Sequence, residues 1–170
     1  MPFRHRPRVT GLRLGGSPNE RSADFGGTLR PMKQHLARHA VETRGRSLVD
    51  VTSDVARIVR DSSLSRGLVT IFLRHTSASL VIQENADPAV LRDLLRYFGA
   101  IVEDGDPSFE HVDEGPDDMP AHVRAALTAT QLAVPFDDGK LLLGAWQAIY
   151  LFEHRHAPHR RELVVHVLGE

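Results

Sequence analysis

Apolar and polar positions along this chain recur with periods that name its elements. HLARHAVETRG, residues 35–45, reads as a strand ending at Gly45, and SLVDVT, residues 47–52, as a second. Thr52 or Ser53 can cap a helix that carries Val55, Ile58 and Val59 on one face. GLVTIFLRHT and SASLVIQEN, residues 67–85, are rich in β-branched and apolar residues and predict two more extended segments. A helix follows: Asp87 suits the N-cap, Pro88 the first turn, and Leu91, Leu94, Leu95 and Phe98 form an apolar stripe ending at Gly99. Beyond an acidic loop, Pro120 can open a third helix. The last third, QLAVPF, a DDGK turn, LLLGAWQAIYLFEHR and ELVVHVLGE, is β in character. About eight strands and three helices without βαβα alternation predict a single α+β domain, its sheets largely antiparallel or mixed.

Residues 1–31 break this regularity. They are dense in Gly, Pro, Ser and Arg, show no sustained period, and read as a flexible extension ahead of a domain over residues 33–170. At 41% hydrophobic and 25% charged residues the composition is that of a globular protein. No apolar run approaches the roughly 18 residues a membrane span needs, and the arginine-rich start has no apolar core of a secretory signal. Cysteine is absent, which removes disulfides, thiolate metal sites and a cysteine nucleophile, and accords with a cytoplasmic protein. The net charge of -1 conceals an asymmetry: residues 1–33 hold seven Lys/Arg against two acids, and residues 84–118 hold eleven acids against two arginines. The basic start could touch nucleic acid, but no base-reading motif accompanies it, so nucleic acid is not an expected partner.

Three stretches could carry chemistry. HVDEGPDDMPAH sets four acids between His111 and His122. Histidine and carboxylate together are the usual set for divalent metals and for proton transfer near neutrality. Asp117 and Asp118 also suit the positive end of the following helix, and the spacing of the two histidines matches no zinc-protease or zinc-finger signature. In RHTSAS, His75 and Ser77 share a strand face about 6.5–7 Å apart, too far for a nucleophile–base hydrogen bond, so His75 reads equally as a structural donor. Asp87 has work enough as a cap, whereas Glu84 and Asn85 have no structural role evident from sequence. Near the C-terminus, Arg155, His156, His159, Arg160 and Arg161 crowd a candidate anion subsite or an exposed hairpin tip, and Trp146 belongs to the core or to a pocket wall.

HTSASL with QENADP, EHVDEGPDDMPAH, the DDGK–LLLG turn, GAWQAIYLFEHR and RRELVV together resemble the YjbQ family, known as the secondary thiamine-phosphate synthase family, over residues 33–170. The resemblance implies a small α+β homotrimer with pockets at subunit contacts. By position, the family's recurrent polar residues fall on His75, Thr76, Ser77, Glu84 and Asn85, with Asp87 and Asp93 close behind. They fall further on His111, Asp118 and His122, then on Gly144, Trp146, Gln147, Glu153 and Arg161. HAPH stands where a glycine-rich turn is usual, which bears on the shape of the arginine hairpin. The implied activity is a transferase joining a pyrimidine pyrophosphate to a thiazole phosphate, whose departing pyrophosphate must be neutralised by metal or arginine.

The expectation is accordingly a thiamine-phosphate-synthase-like enzyme with a small, phosphorylated substrate. Its catalytic residues would be His75, Ser77, Glu84, Asn85, His111, Asp118 and His122, and its substrate or anion subsite Trp146, Gln147, Arg160 and Arg161. Mg or Zn would sit on His111, His122 and Glu84. The alternatives are a metal-assisted hydrolase or phosphoryl-transfer enzyme of other substrate, and a non-catalytic binding module using the basic start.

Overall fold

Two antiparallel sheets face one another across a single core in the computed structural model, which describes residues 31–170. The extension expected over residues 1–31 lies, apart from Pro31, outside the described residues. The elements run β1 (Lys33–Glu42), β2 (Ser47–Asp50), α1 (Thr52–Asp61), β3 (Arg66–Leu73), β4 (Ala78–Glu84), α2 (Pro88–Ile101), α3 (Asp118–Leu127), β5 (Gln131–Asp137), β6 (Lys140–Leu141), β7 (Gln147–Glu153) and β8 (Arg160–Gly169). The larger sheet has the order β1-β8-β3-β5-β6 and the smaller β2-β7-β4. The α+β expectation holds, with every strand pair antiparallel.

Alternation builds the core. Val69, Ile71 and Leu73 of β3 and Leu163, Val165 and Val167 of β8 point inward from the larger sheet. Leu80, Ile149 and Leu151 meet them from the smaller one, and α1 adds Val55, Ile58 and Val59. Burying each such side chain contributes roughly 1.5–3 kcal/mol. The other face of the smaller sheet is covered by α2, where Phe98 meets Phe152 edge to face at 5.4 Å between centroids. The outer face of the larger sheet carries exposed Leu36, Leu68, Phe72 and Leu168. No helix among the described residues is long and apolar enough to cross a membrane.

Several element ends differ from the sequence expectation. Neither Thr52 nor Ser53 caps α1; Asp50 accepts from the Thr52 N–H (2.8 Å), while the Thr52 hydroxyl accepts from Ile149 N (2.8 Å). Asp87 does cap α2, accepting from Ala89 N at 2.7 Å, but the helix continues through Gly99 to Ile101. LLLGAWQAIYLFEHR is not one strand: a turn closed by Gln147 N to Gly144 O (2.9 Å) separates β6 from β7. Most consequential, α3 begins at Asp118, two residues before Pro120.

Candidate functional site

The early start of α3 builds the site. Asp118 and His122 stand four residues apart, so they project from one helix face a turn apart. His111 arrives from the preceding loop, where Gly105 N donates to Pro116 O (2.8 Å) and ties the two arms together. His111 Nε2 lies 2.8 Å from Asp118 Oδ2, and His122 Nε2 lies 3.4 Å from the same oxygen. A ligand atom from each of the three side chains falls within 4.8 Å of the other two. Asp118 is buried at the base, its side chain 3% exposed, while His111 is 46% exposed at the mouth.

The hydrogen-bond inventory of this cluster leaves a place for a cation. His122 Nδ1 lies 3.2 Å from the Thr76 carbonyl. A carbonyl can only accept, so Nδ1 carries a proton and Nε2 is the ring atom turned toward the Asp118 carboxylate. A proton or a metal ion between that nitrogen and the carboxylate oxygen offsets their mutual repulsion. The other carboxylate oxygen, Oδ1, accepts from the Arg155 guanidinium. Arg155 also bonds Asp117 Oδ2 through Nε (3.2 Å) and the Glu114 carbonyl through Nη2 (2.8 Å). Two imidazoles and a carboxylate, one imidazole oriented by a backbone carbonyl and the carboxylate by arginine, are the donor types and supporting contacts that could hold a divalent ion.

Asp117 has a separate duty. Burial disfavours its charge, but His156 N at 2.7 Å and Arg155 outweigh that and hold its carboxyl below the usual range. Its side chain therefore clamps the loop after β7 and does not cap α3. Beside it, Asp104 gathers Arg46, Arg124 and His156 at 2.8–2.9 Å, and these bonds overcome its partial burial to bring its carboxyl down to about 2. Arg124 is fully buried and anchors the end of α2 through the Phe98 carbonyl (3.2 Å).

The remaining expected site residues are dispersed. Arg161, expected to bind an anion, is 4% exposed and closes a two-bond fork on buried Glu153 at 2.6 and 2.7 Å; its Nη2 also reaches Ser77 Oγ at 3.2 Å. Its Nε and Nη2 are engaged inside the protein and the side chain is buried, which corrects the anion-subsite expectation for Arg161. Arg160 is exposed and lies 3.4 Å from Glu42. His75 Nε2 accepts from Glu162 N (2.9 Å), and burial followed by the charge of Arg161 pushes its basicity down. Its role is structural, but as a backbone acceptor and not as the donor expected from the sequence. The HTS motif instead serves the cluster through the Thr76 carbonyl.

Glu84 closes the far end of β4 and Asn85 follows it, about 20 Å along the strand from Ala78 at 3.3 Å per residue. Glu84 is not part of the His111–Asp118–His122 cluster, which corrects its place in the expected metal set within one chain. It pairs across the sheet with Gln147, whose carboxamide accepts from Gly144 N (2.8 Å), and Trp146 next to it is 66% exposed. Arg46, Arg124 and Asp104 do not stand out in the sequence. Arg155 does, in the arginine–histidine hairpin, but it binds the carboxylates of Asp117 and Asp118 and not an anion.

A two-sheet α+β domain with a two-histidine, one-aspartate cluster at a helix start is the class these features define. The sequence profile of the UPF0047 protein YjbQ-like family matches residues 37–170, and the chain belongs to this family. It is 49% identical over 138 residues to the UPF0047 protein sll1880 of Synechocystis, covering 81% of this chain and 94% of that protein. To the UPF0047 protein YjbQ of Escherichia coli O157:H7 it is 37% identical over 133 residues, covering 77% and 94%. Among solved structures, a YbjQ-like protein of unknown function from Sulfolobus solfataricus superposes with a TM-score of 0.74 at 30% identity, over 82% of this chain and 100% of that one. A YjbQ/UPF0047 protein from Clostridium acetobutylicum gives 0.71 at 31% identity, over 77% and 98%.

Proposed function

We propose that this chain is a metal-dependent enzyme whose centre is His111, Asp118 and His122. The observation that carries the reading is the convergence of one ligand atom each from His111, Asp118 and His122 within 4.8 Å of one another, with Thr76 and Arg155 fixing His122 and Asp118 from behind. Two imidazoles among three donors favour zinc over magnesium, which prefers an all-oxygen shell. A divalent ion there supplies charge neutralisation and orients a substrate oxygen, the chemistry of metal-assisted hydrolysis and group transfer. Arg155 keeps Asp118 immobile, the Thr76 carbonyl fixes the tautomer of His122, and exposed His111 forms the substrate-facing edge.

Within this class, the resemblance of the motifs supports a thiamine-phosphate-synthase-like transfer as the specific reaction, with a small phosphorylated substrate whose charge the ion rather than Arg161 offsets. The homotrimer is part of the same proposal: the distance between the histidine cluster and the Glu84–Asn85–Trp146 edge in one chain fits a pocket shared between copies. A cytoplasmic location is supported by the cysteine-free composition.

Protein purified without a histidine tag is expected to hold zinc at one equivalent per chain by elemental analysis, and His122→Ala to lose it. Metal-free wild type after zinc incubation, or undiminished zinc in the variant, overturns the centre. Rescue of a strain lacking thiamine-phosphate synthase by wild type, but not by His111→Ala, supports the specific reaction; no rescue by wild type removes it.

A further inference from the structure

A cavity of about 360 Å³ opens beside His111, between the loop after α2 and the start of α3. Phe109, Val112, Pro116 and Met119 wall it, and Asp106 and His111 supply polar side chains. Its frame is a set of short turns. Phe109 N donates to Asp106 O (3.2 Å), Gly115 N to Val112 O (3.2 Å), and Arg155 pins the Glu114 carbonyl. Gly105 and Gly115 adopt φ of +73° and +105°, which other residues take up only with strain. The volume suits one aromatic ring with a short substituent.

Asp106 is the one carboxylate lining the cavity, no lysine or arginine lines it, and the surrounding stretch of chain is acidic. Residues 103–118 carry eight carboxylates, and no lysine or arginine occurs between Arg96 and Arg124. The arginines that approach from elsewhere are occupied: Arg46 and Arg124 on Asp104, and Arg155 on Asp117, Asp118 and Glu114. Three positive charges against eight negative ones leave a surplus of five. Asp106 faces the cavity with its carboxylate turned by Ser108 N (2.8 Å), whose hydrogen bonds hold it below the usual carboxyl range and so ionised. An apolar wall under a negative rim selects a ligand with an apolar body and a positive charge.

We propose that this cavity is the substrate pocket of the histidine–aspartate centre and takes a small organic cation with a flat apolar body. Its assignment to substrate rests on the metal centre proposed above; its ligand class rests on the cavity itself. The ring packs against Phe109 and Met119, the positive group lies toward Asp106, and the opposite, phosphorylated end is presented to the ion at His111, which offsets its charge.

Benzamidine and benzoate share a ring and differ in charge, so they separate the two contributions. In titrations of the metal-free protein at low salt, benzamidine is expected to bind about tenfold more tightly than benzoate, the preference shrinking as salt screens the rim. Met119 is one of only three methionines, the others being Met1 and Met32, so its methyl resonance locates the binding. Benzamidine should shift it. Phe109→Ala should weaken benzamidine about fivefold or more, and Asp106→Asn should reduce the preference over benzoate while leaving the ring contribution. Equal affinities, no benzamidine binding at millimolar concentration, or an unmoved Met119 signal overturns the proposal. Zinc binding is read separately. A chain that binds benzamidine at Met119 without zinc keeps the pocket and loses the centre; one that binds zinc but not benzamidine does the reverse.

Discussion

Replacing Arg161 by methionine separates a structural arginine from a substrate-binding one. The pair it forms with Glu153 is almost wholly out of solvent, at 4% and 0% side-chain exposure. Removing one partner of such a pair costs about 3–5 kcal/mol, because a buried carboxylate is left behind. Here the lower end applies. Glu153 retains two donors, the Thr43 hydroxyl at 2.9 Å on Oε2 and Arg155 N at 3.0 Å on Oε1. It can also escape by taking up a proton. From an ordinary value of 4.5, protonation at pH 7 costs about 3.4 kcal/mol at 1.36 kcal/mol per pH unit. The expected loss is thus about 3 kcal/mol at pH 7, a large fraction of the ~5–15 kcal/mol that holds a domain together.

The pH dependence makes the prediction specific. In the wild type, burial works against the Glu153 charge, but Arg161 and the other donors prevail and depress its basicity. That contribution is complete above the unfolded value and is lost only as pH falls through the lower folded one. In Arg161→Met the shift reverses, and the penalty exists only while the carboxyl must be ionised or be protonated against bulk pH. At pH 5 protonation costs only about 0.7 kcal/mol, so the deficit of the variant should shrink by roughly 2–3 kcal/mol between pH 7 and pH 5. Urea unfolding at the two pH values measures this directly. A deficit below about 1 kcal/mol at pH 7, or one that does not change with pH, refutes the buried-pair argument and returns Arg161 to the list of anion-binding residues.

Two further outcomes follow from the same coordinates. His154 is fully buried beside Ser79 Oγ (2.8 Å), and burial, with the nearby Arg124 charge, takes its basicity from 6.5 to about 3. The unfolded chain binds this proton below pH 6.5 and the folded chain does not. Stability is therefore lost on acidification, by about 2.3 kcal/mol between pH 6.5 and 4.5; the stability profile of His154→Gln should fall correspondingly less, and parallel profiles would defeat the assignment. Phe72→Asp places a charge on the exposed apolar face of the larger sheet, opposite Val164 and on the same strand face as Leu68. Light scattering after gel filtration should show a trimer of wild type becoming a monomer with unchanged circular dichroism, and a wild-type monomer would remove the homotrimer.

The fold was legible because its signals were redundant. β3 and β8 alternate over eight and ten residues, and α2 has a cap, a proline and an apolar stripe that agree. The sites of disagreement were those where a side chain had two admissible partners. Gly99 looked like a stop, but α2 continues through it to Ile101 while Arg124 from α3 binds the neighbouring Phe98 carbonyl, a contact no local pattern reveals. Arg161 looked free because Glu153, its partner, is eight residues away on the neighbouring sheet. His75 and His122 could not be told apart by type; their roles follow from a backbone N–H that one accepts and a backbone carbonyl that the other binds.

The register of α3 decided the rest. Starting the helix at Pro120 is reasonable, since proline favours the first turn, but it leaves Asp118 outside as a cap and His122 without a partner one turn earlier. Starting it at Asp118 keeps proline within the first turn, where its missing N–H costs nothing, and sets Asp118 under His122 on the same face. The shift becomes affordable because Asp117, ahead of the helix, is held by His156 N and Arg155 and Asp118 by Arg155, so two adjacent carboxylates are compensated from across the chain. Arg155 is thus the residue on which the geometry of the centre depends without being one of its donors. A chain in which the helix began at Pro120 would contain the same histidines and the same acids, and no common point for them to face.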